Sequence, residues 1–153
     1  MLSAANDENF SKLILGEEYI RQTLENIEKG DPMAIYKQEL PADMFFAITL
    51  NNLQVAFRTF VFGVFVSLGT ILIMMYNGIM VGTFQYFFIE RGLFWESFLT
   101  IWQHGTLEIS AIIIAGAAGL VMGKGLIFPQ TLSRFTSFKL SAKKGLKILA
   151  GIV

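Results

Sequence analysis

TFVFGVFVSLGTILIMMYNGIMVGTFQYFFI, Thr59–Ile89, runs for 31 residues without a charge. One helix crossing the hydrocarbon core of a bilayer needs roughly 20 apolar residues. The run is therefore long enough for more than one span, and its internal punctuation decides how it divides. Asn77-Gly78 is a strong turn signal in water. Placed inside an apolar run, it predicts a tight hairpin or a broken helix. A first span is expected over about 52–76, and a short second one over 77–91. The rival reading is a single long helix over 52–89. Gly63, Ser67 and Thr70 form a stripe of small residues on the first span, suited to close helix approach in lipid.

The composition agrees with a membrane. The 153 residues are 54% hydrophobic and only 16% charged, where a soluble domain is nearer a quarter. A second uncharged run, Ile109–Gly123, has 15 residues. That makes about 22 Å of helix, short for a hydrocarbon core of about 30 Å. The third span, about 105–123, must therefore take in Glu108. Between the spans, Leu93–Gln103 carries Trp95 and Trp102 and reads as an interfacial or re-entrant piece, since tryptophan favours that depth.

The net charge is zero, but the charges are segregated. Residues 1–57 hold nine acids and four bases, whereas after Glu108 there are six bases and no acid. The basic segment 124–147 is expected to be a cytoplasmic linker, with Arg134, Lys139, Lys143, Lys144 and Lys147 near anionic headgroups. Residues 1–46 read as acidic, extracytoplasmic amphipathic helices. Asn6 or Asp7 serves as a first cap and Gly16 as a stop, while Tyr19, Ile20, Leu24 and Ile27 share one face. Gly30-Asp31-Pro32 breaks the chain and Pro41 marks another start. The fold class expected is all-α: a polytopic transmembrane helical bundle with this short extramembrane N-terminal segment. The ends, MLSAANDENF and KKGLKILAGIV, read as those of a fragment. Residues 148–153 look like the start of a truncated further helix.

HGTLEISAIIIAGAAGLVMGKG, His104–Gly125, is the one place where chemistry is conceivable. His104, the sole histidine, and Glu108 are one helical turn apart. The same face continues through Ala115, Gly119 and Gly123, a small-residue pattern that lets two backbones touch. Three roles compete for the pair. The first is to ligate a metal in an intramembrane enzyme, with Glu90 or Glu96 as a third ligand, but zinc wants more ligands than a lone His-Glu offers. The second is to handle a proton, ion or small solute in a permease, together with the Asn77-Gly78 region. The third is structural, with Gly105 as an N-cap and Glu108 at the third helical position, where the helix dipole favours a carboxylate. The structural role is preferred. No cysteine is present, so thiol chemistry and Cys-ligated metals are excluded. The glycines lack the strand–turn context and the Gly-Lys-Ser/Thr ending of a phosphate loop. No catalytic triad or paired carboxylates occur. The expectation is a non-enzymatic protein without a cofactor or bound metal and without nucleic acid as partner.

NNLQVAF (51–57), FGVFVSLGT (62–70), YNGIMVGTFQYFF (76–88) and HGTLEISAIIIAGAAGLVMGKGLIFP (104–129) together resemble the stage II sporulation protein M family. The resemblance covers roughly Ala47–Phe128, and His104-Gly105-x-x-Glu108 followed by AGAAG is its most specific part. It implies a multi-pass protein of the bacterial or archaeal cytoplasmic membrane. A first helix would precede this segment, and the last would be cut after Val153. It also implies a scaffold or anchor for envelope proteins, peptidoglycan hydrolases among them, as in forespore engulfment. The matching positions are Asn52, Asn77, Gly78, Gly82, His104, Gly105, Glu108, Gly116 and Gly119.

Overall fold

The described chain is helical from Glu8 onward. The computed structural model describes residues 8–37 and 41–151, and among these there is no strand. Helix α1 spans Glu8–Leu15 and α2 Glu17–Glu28. They are separated by Gly16, whose φ of 91° lies where only glycine is at ease. Its N–H still closes α1 on the Lys12 carbonyl at 2.9 Å. A 3₁₀ turn, Ala34–Lys37, precedes α3, Pro41–Val61. A second 3₁₀ turn, Phe62–Val64, leads into α4, Leu68–Ile89; then follow α5, Phe94–Ile127, and α6, Arg134–Ala150. The caps expected at Asn6 or Asp7, and the last two residues of the expected truncated helix, lie outside the described residues.

Two sequence expectations are corrected here. Asn77-Gly78 is not a break: α4 passes through both residues. The interruption comes ten residues and more earlier, at 62–67, so neither the division into 52–76 and 77–91 nor a single 52–89 helix holds. Asn-Gly turns in water because water accepts the backbone groups it releases. Inside an apolar run an intact helix is the cheaper way to satisfy them, against a cost of about 1 kcal/mol for one glycine. The second correction concerns Leu93–Gln103: from Phe94 on it is the first part of the 34-residue α5 rather than a separate piece. Gly105 lies mid-helix, so it caps nothing, and Glu108 is far from the positive end of the dipole. The true start follows Gly92, φ 70°. There the Leu93 N–H reaches back to the Phe88 carbonyl at 2.9 Å and the Gly92 N–H to Ile89 at 3.0 Å, ending α4 in a glycine-dependent turn.

The chain divides into two compact units. The first combines residues up to 47 with 77–106. Its core is Ile20, Met33, Phe87 and Phe88, flanked by Tyr19, Ile27, Phe84 and Leu93. The buried side of α2 is thus Ile20, Thr23 and Ile27. Leu24, expected on that face, sits at its rim and is exposed. Thr23 is fully buried yet satisfied, because its hydroxyl donates to the Tyr19 carbonyl at 2.7 Å.

The second unit combines 48–76 with the chain from 107 onward. Its core is small: Phe60, Ala118 and Met122, with Phe138, Ala142, Ile148 and Leu149 packed on it. Much of its apolar surface faces outward, including Leu68, Leu72 and Met75 on α4. Leu68–Ile89 and Ile109–Ile127 are long and apolar enough to cross a membrane, and only 17% and 39% of their apolar windows are buried. At 1.5 Å per residue these stretches are about 33 and 28 Å long, close to a hydrocarbon core.

Candidate functional site

The second unit is organised around one face of α5. Ala115 and Ala118 are fully buried there. Gly119 faces the end of α3 and the start of α4: a Cβ on it would stand 2.5 Å from the Thr70 hydroxyl and 2.9 Å from the Thr59 carbonyl oxygen. One turn on, a Cβ at Gly123 would meet the Ser67 side chain, the Ser67 amide at 2.5 Å and the Gly63 carbonyl at 2.7 Å. One turn back, Gly116 lies against the Met74 thioether. Gly63 in the 3₁₀ turn is seated directly on the Gly119 peptide. The stripe Gly63–Ser67–Thr70 therefore meets the stripe Ala115–Gly119–Gly123, and backbones approach as only small residues allow.

Hydroxyls close this seam. Thr70 Oγ1 donates to the Thr59 carbonyl at 2.7 Å, tying the first turn of α4 to the last of α3. Ser67 Oγ donates to the Leu120 carbonyl at 3.3 Å, tying the turn to α5. Thr59 Oγ1 donates back to Val55 at 2.7 Å. Each polar group is satisfied inside the protein, as an apolar surrounding demands.

On its other side α5 receives α6. Gly125 lies against Ser141 and the Ser137 carbonyl, and Gly145 against the Ala118 carbonyl and the Phe60 ring. Ser133 caps α6, accepting from the Thr136 N–H at 3.3 Å. The expected linker 124–147 thus contains the end of α5, a turn in which Gln130 has φ 54°, and most of α6. Arg134, Lys139, Lys143, Lys144 and Lys147 are all exposed on that helix. Lys139 lies over the Phe135 ring at 4.4 Å.

The remaining sequence candidates fall elsewhere. Asn52, half-buried on α3, donates to the Ile48 carbonyl at 2.8 Å. Asn77 is half-buried on α4, while Gly78 and Gly82 open onto free space with nothing near a would-be Cβ. Gly105 is buried within α5. His104 and Glu108 are four apart on α5, but their side chains lie outside the described part of the structure. Glu90, weighed as a metal ligand, accepts from the Tyr86 hydroxyl at 3.0 Å. Among the described residues, no three His, Asp or Glu side chains converge on a metal-sized site. Sequence reasoning missed Thr59, Gly125 and Gly145. The last was detectable: Ser137, Ser141 and Gly145 repeat small residues every fourth position.

The model of the family described as stage II sporulation protein M matches residues 2–153, well beyond the segment that carried the resemblance. The chain belongs to that family. No curated protein and no solved structure matches it. Family membership and the two apolar helices mark this chain as a membrane protein.

Proposed function

We propose that this family member is a non-enzymatic, multi-pass scaffold of the bacterial or archaeal cytoplasmic membrane that anchors envelope proteins, peptidoglycan hydrolases among them. The observation that carries the reading is the seating of Gly63 on Gly119. A seam closed by backbone contact and internal hydroxyl bonds leaves no room there for a solute. It fits a rigid platform better than a permease, which needs a polar path between the two sides.

The packing of the first unit supports a topology for this reading. Tyr19 stacks on Phe84 with ring centroids 6.0 Å apart, and Ile20 and Met33 share a core with Phe87 and Phe88. The acidic N-terminal helices therefore sit at the same end of α4 as the turn at 90–93. With residues 1–46 outside, α3 runs inward, α4 outward and α5 inward, and the basic segment 124–147 is cytoplasmic, as the positive-inside rule favours. A topology reporter fused after Glu90 should read extracytoplasmic. Crosslinking in intact cells should recover cell-wall hydrolases bound to the chain. Solute flux through the purified protein in liposomes, with no hydrolase recovered, would reverse the choice between scaffold and permease.

A further inference from the structure

The turn between α3 and α4 has the composition of a membrane interior. Phe62, Val64, Phe65, Val66 and Leu68 are all exposed, Phe65 and Leu68 each to 62%. No charged residue occurs from Thr59 to Ile89. Turns that face water are built from Gly, Pro, Asn, Asp and Ser, which bond to the solvent or to their own backbone. This one instead turns five apolar side chains outward.

Its polar groups point the other way. The N–H groups of Phe65, Ser67, Leu68 and Ile71 donate to the carbonyls of Phe62, Gly63, Phe65 and Ser67 at 3.0–3.1 Å. The hydroxyls of Ser67 and Thr70 donate to Leu120 and Thr59. Non-helical backbone can sit at membrane depth only when its polar groups are satisfied by protein in this way. The register along α5 gives an independent measure of depth. Gly63 and Ser67 touch Gly119, Leu120 and Gly123, within the last five residues of the uncharged run of α5, which ends at Gly123 before Lys124. At 1.5 Å per residue the turn lies within about 6 Å of that end, on its apolar side.

We propose that residues 62–68 form a re-entrant tip immersed in the acyl chains of the bilayer, and not a loop in the cytoplasm. The proposal rests on the membrane reading above and adds to it where the chain turns. The occupant of the apolar surface is lipid, because the surface is continuous with the exposed face of α4 and at the depth of the α5 span.

The absence of cysteine makes the test direct. Phe65→Cys, Leu72→Cys on α4 and Glu17→Cys on α2 are each labelled with a small fluorophore, and the full chain is reconstituted in phosphatidylcholine–phosphatidylglycerol vesicles. Quenching by lipids brominated on the acyl chain is compared with quenching by aqueous iodide. Label at position 65 should follow position 72, quenched several-fold more by the bromolipids, while position 17 shows the reverse. Iodide quenching at 65 with bromolipid quenching at 72 overturns the re-entrant tip and leaves the membrane reading standing. Iodide quenching at both positions removes the membrane reading as well. Quenching at 65 by neither reagent shows a protein cover and overturns lipid contact. Val64→Cys repeats the readout should Phe65→Cys fail to assemble.

Discussion

Gly63 and Gly119 touch through their backbones: a methyl group on Gly63 would fall within 2.8 Å of the Gly119 Cα. One of these glycines lies in a turn that interrupts an apolar run, the other in the middle of a long helix. Their contact fixes where α3 gives way to α4 and the register of both on α5. The turn could not slide along α5 by one helical step without placing Ala115 or Gly123 under it and breaking the Ser67–Leu120 hydrogen bond.

Replacing Gly119 with leucine should therefore separate these elements. Its Cβ alone would meet Thr70 Oγ1 at 2.5 Å and the Thr59 carbonyl at 2.9 Å, and backbone cannot yield as a flexible side chain can. Overpacking a filled site costs about 1–3 kcal/mol, and more is expected here. Gly78→Ala is the contrast, because nothing lies within 4 Å of its would-be Cβ. Removing a helical glycine should stabilise by about 0.5–1 kcal/mol. Thermal unfolding in detergent, followed by circular dichroism, should show opposite shifts for the two variants.

Val66 has φ 54° and Ser67 φ 65°. For a β-branched residue the left-handed region is a steric outlier, costing roughly 1–2 kcal/mol. Val66→Gly should relieve it. The freer unfolded chain takes back about 0.4–1 kcal/mol, so the net result is neutral to mildly stabilising. Ser67→Gly shares the backbone benefit but loses the hydrogen bond to Leu120, and it should be less stable than Val66→Gly by about 1 kcal/mol. Denaturation midpoints of the two variants measured side by side test this.

Phe88 is completely buried among Phe84, Phe87 and Ile20. Phe88→Ala should cost about 3–5 kcal/mol of local stability. The N-terminal helices should loosen from α4, seen as faster tryptic cleavage at Arg21 and Lys29, while the seam around Gly119 keeps its packing.

Much of this architecture was legible in the sequence, and the exceptions share a cause. The charge-free run, the helical periodicity of Ile20 and Ile27, and the four-residue spacing of Ala115, Gly119 and Gly123 are local signals: the last two serve packing, while the run leaves most of its apolar surface exposed. Asn77-Gly78 misled because turn propensities describe chains in water. Gly105 misled because a possible N-cap was credited with starting a helix that in fact continues on both sides of it. The turn at 62–67 has only Gly63 and Ser67 of turn type among apolar residues: it exists because Gly63, Ser67 and Thr70 find partners on α5 and α3, contacts invisible to a local reading. Gly78 and Gly82, counted among the positions that carry the resemblance, face open space, and the packing gives no physical account of them.

Outside the apolar segments, Glu18 has a pH dependence that can be assigned a sign. Arg21 donates to its carboxylate at 2.7 and 2.8 Å, and Gln22 at 2.6 Å. The hydrogen bonds from Arg21 above all, then that from Gln22, hold its pKa below the ordinary glutamate value. A lowered folded-state pKa means the contribution is fully present above the unfolded value, near 4.3, and is lost as pH falls from there through the folded value. The pair is exposed, so its effect on global stability is small and is screened by salt. Carboxyl NMR of the protein in nanodiscs should show Glu18 titrating below the ordinary glutamate value. Arg21→Ala should return it toward the ordinary value.

The docking of α6 includes a close approach at Gly145, apart from the one between Gly125 and Ser141. A Cβ at Gly145 would stand 2.8 Å from the Ala118 carbonyl and 2.9 Å from the Phe60 ring, whereas Lys143 and Lys144 beside it are exposed. Gly145→Leu should push α6 off α5, because neither the helix backbone nor the Phe60 ring, buried in the same cluster, can move aside. The seam on the opposite face of α5 uses different atoms, so helix content and the register of the turn at 62–67 should survive. Lys144→Ala removes a charge without entering the contact and should change stability by less than about 0.5 kcal/mol. Tryptic cleavage after Lys143 and Lys144 in the reconstituted protein reads the outcome. Faster cleavage in Gly145→Leu, with slower or unchanged cleavage after Lys143 in Lys144→Ala, is expected. Equal rates in Gly145→Leu and the parent chain would mean that α6 is held by its apolar residues Phe138, Ala142, Ile148 and Leu149 alone.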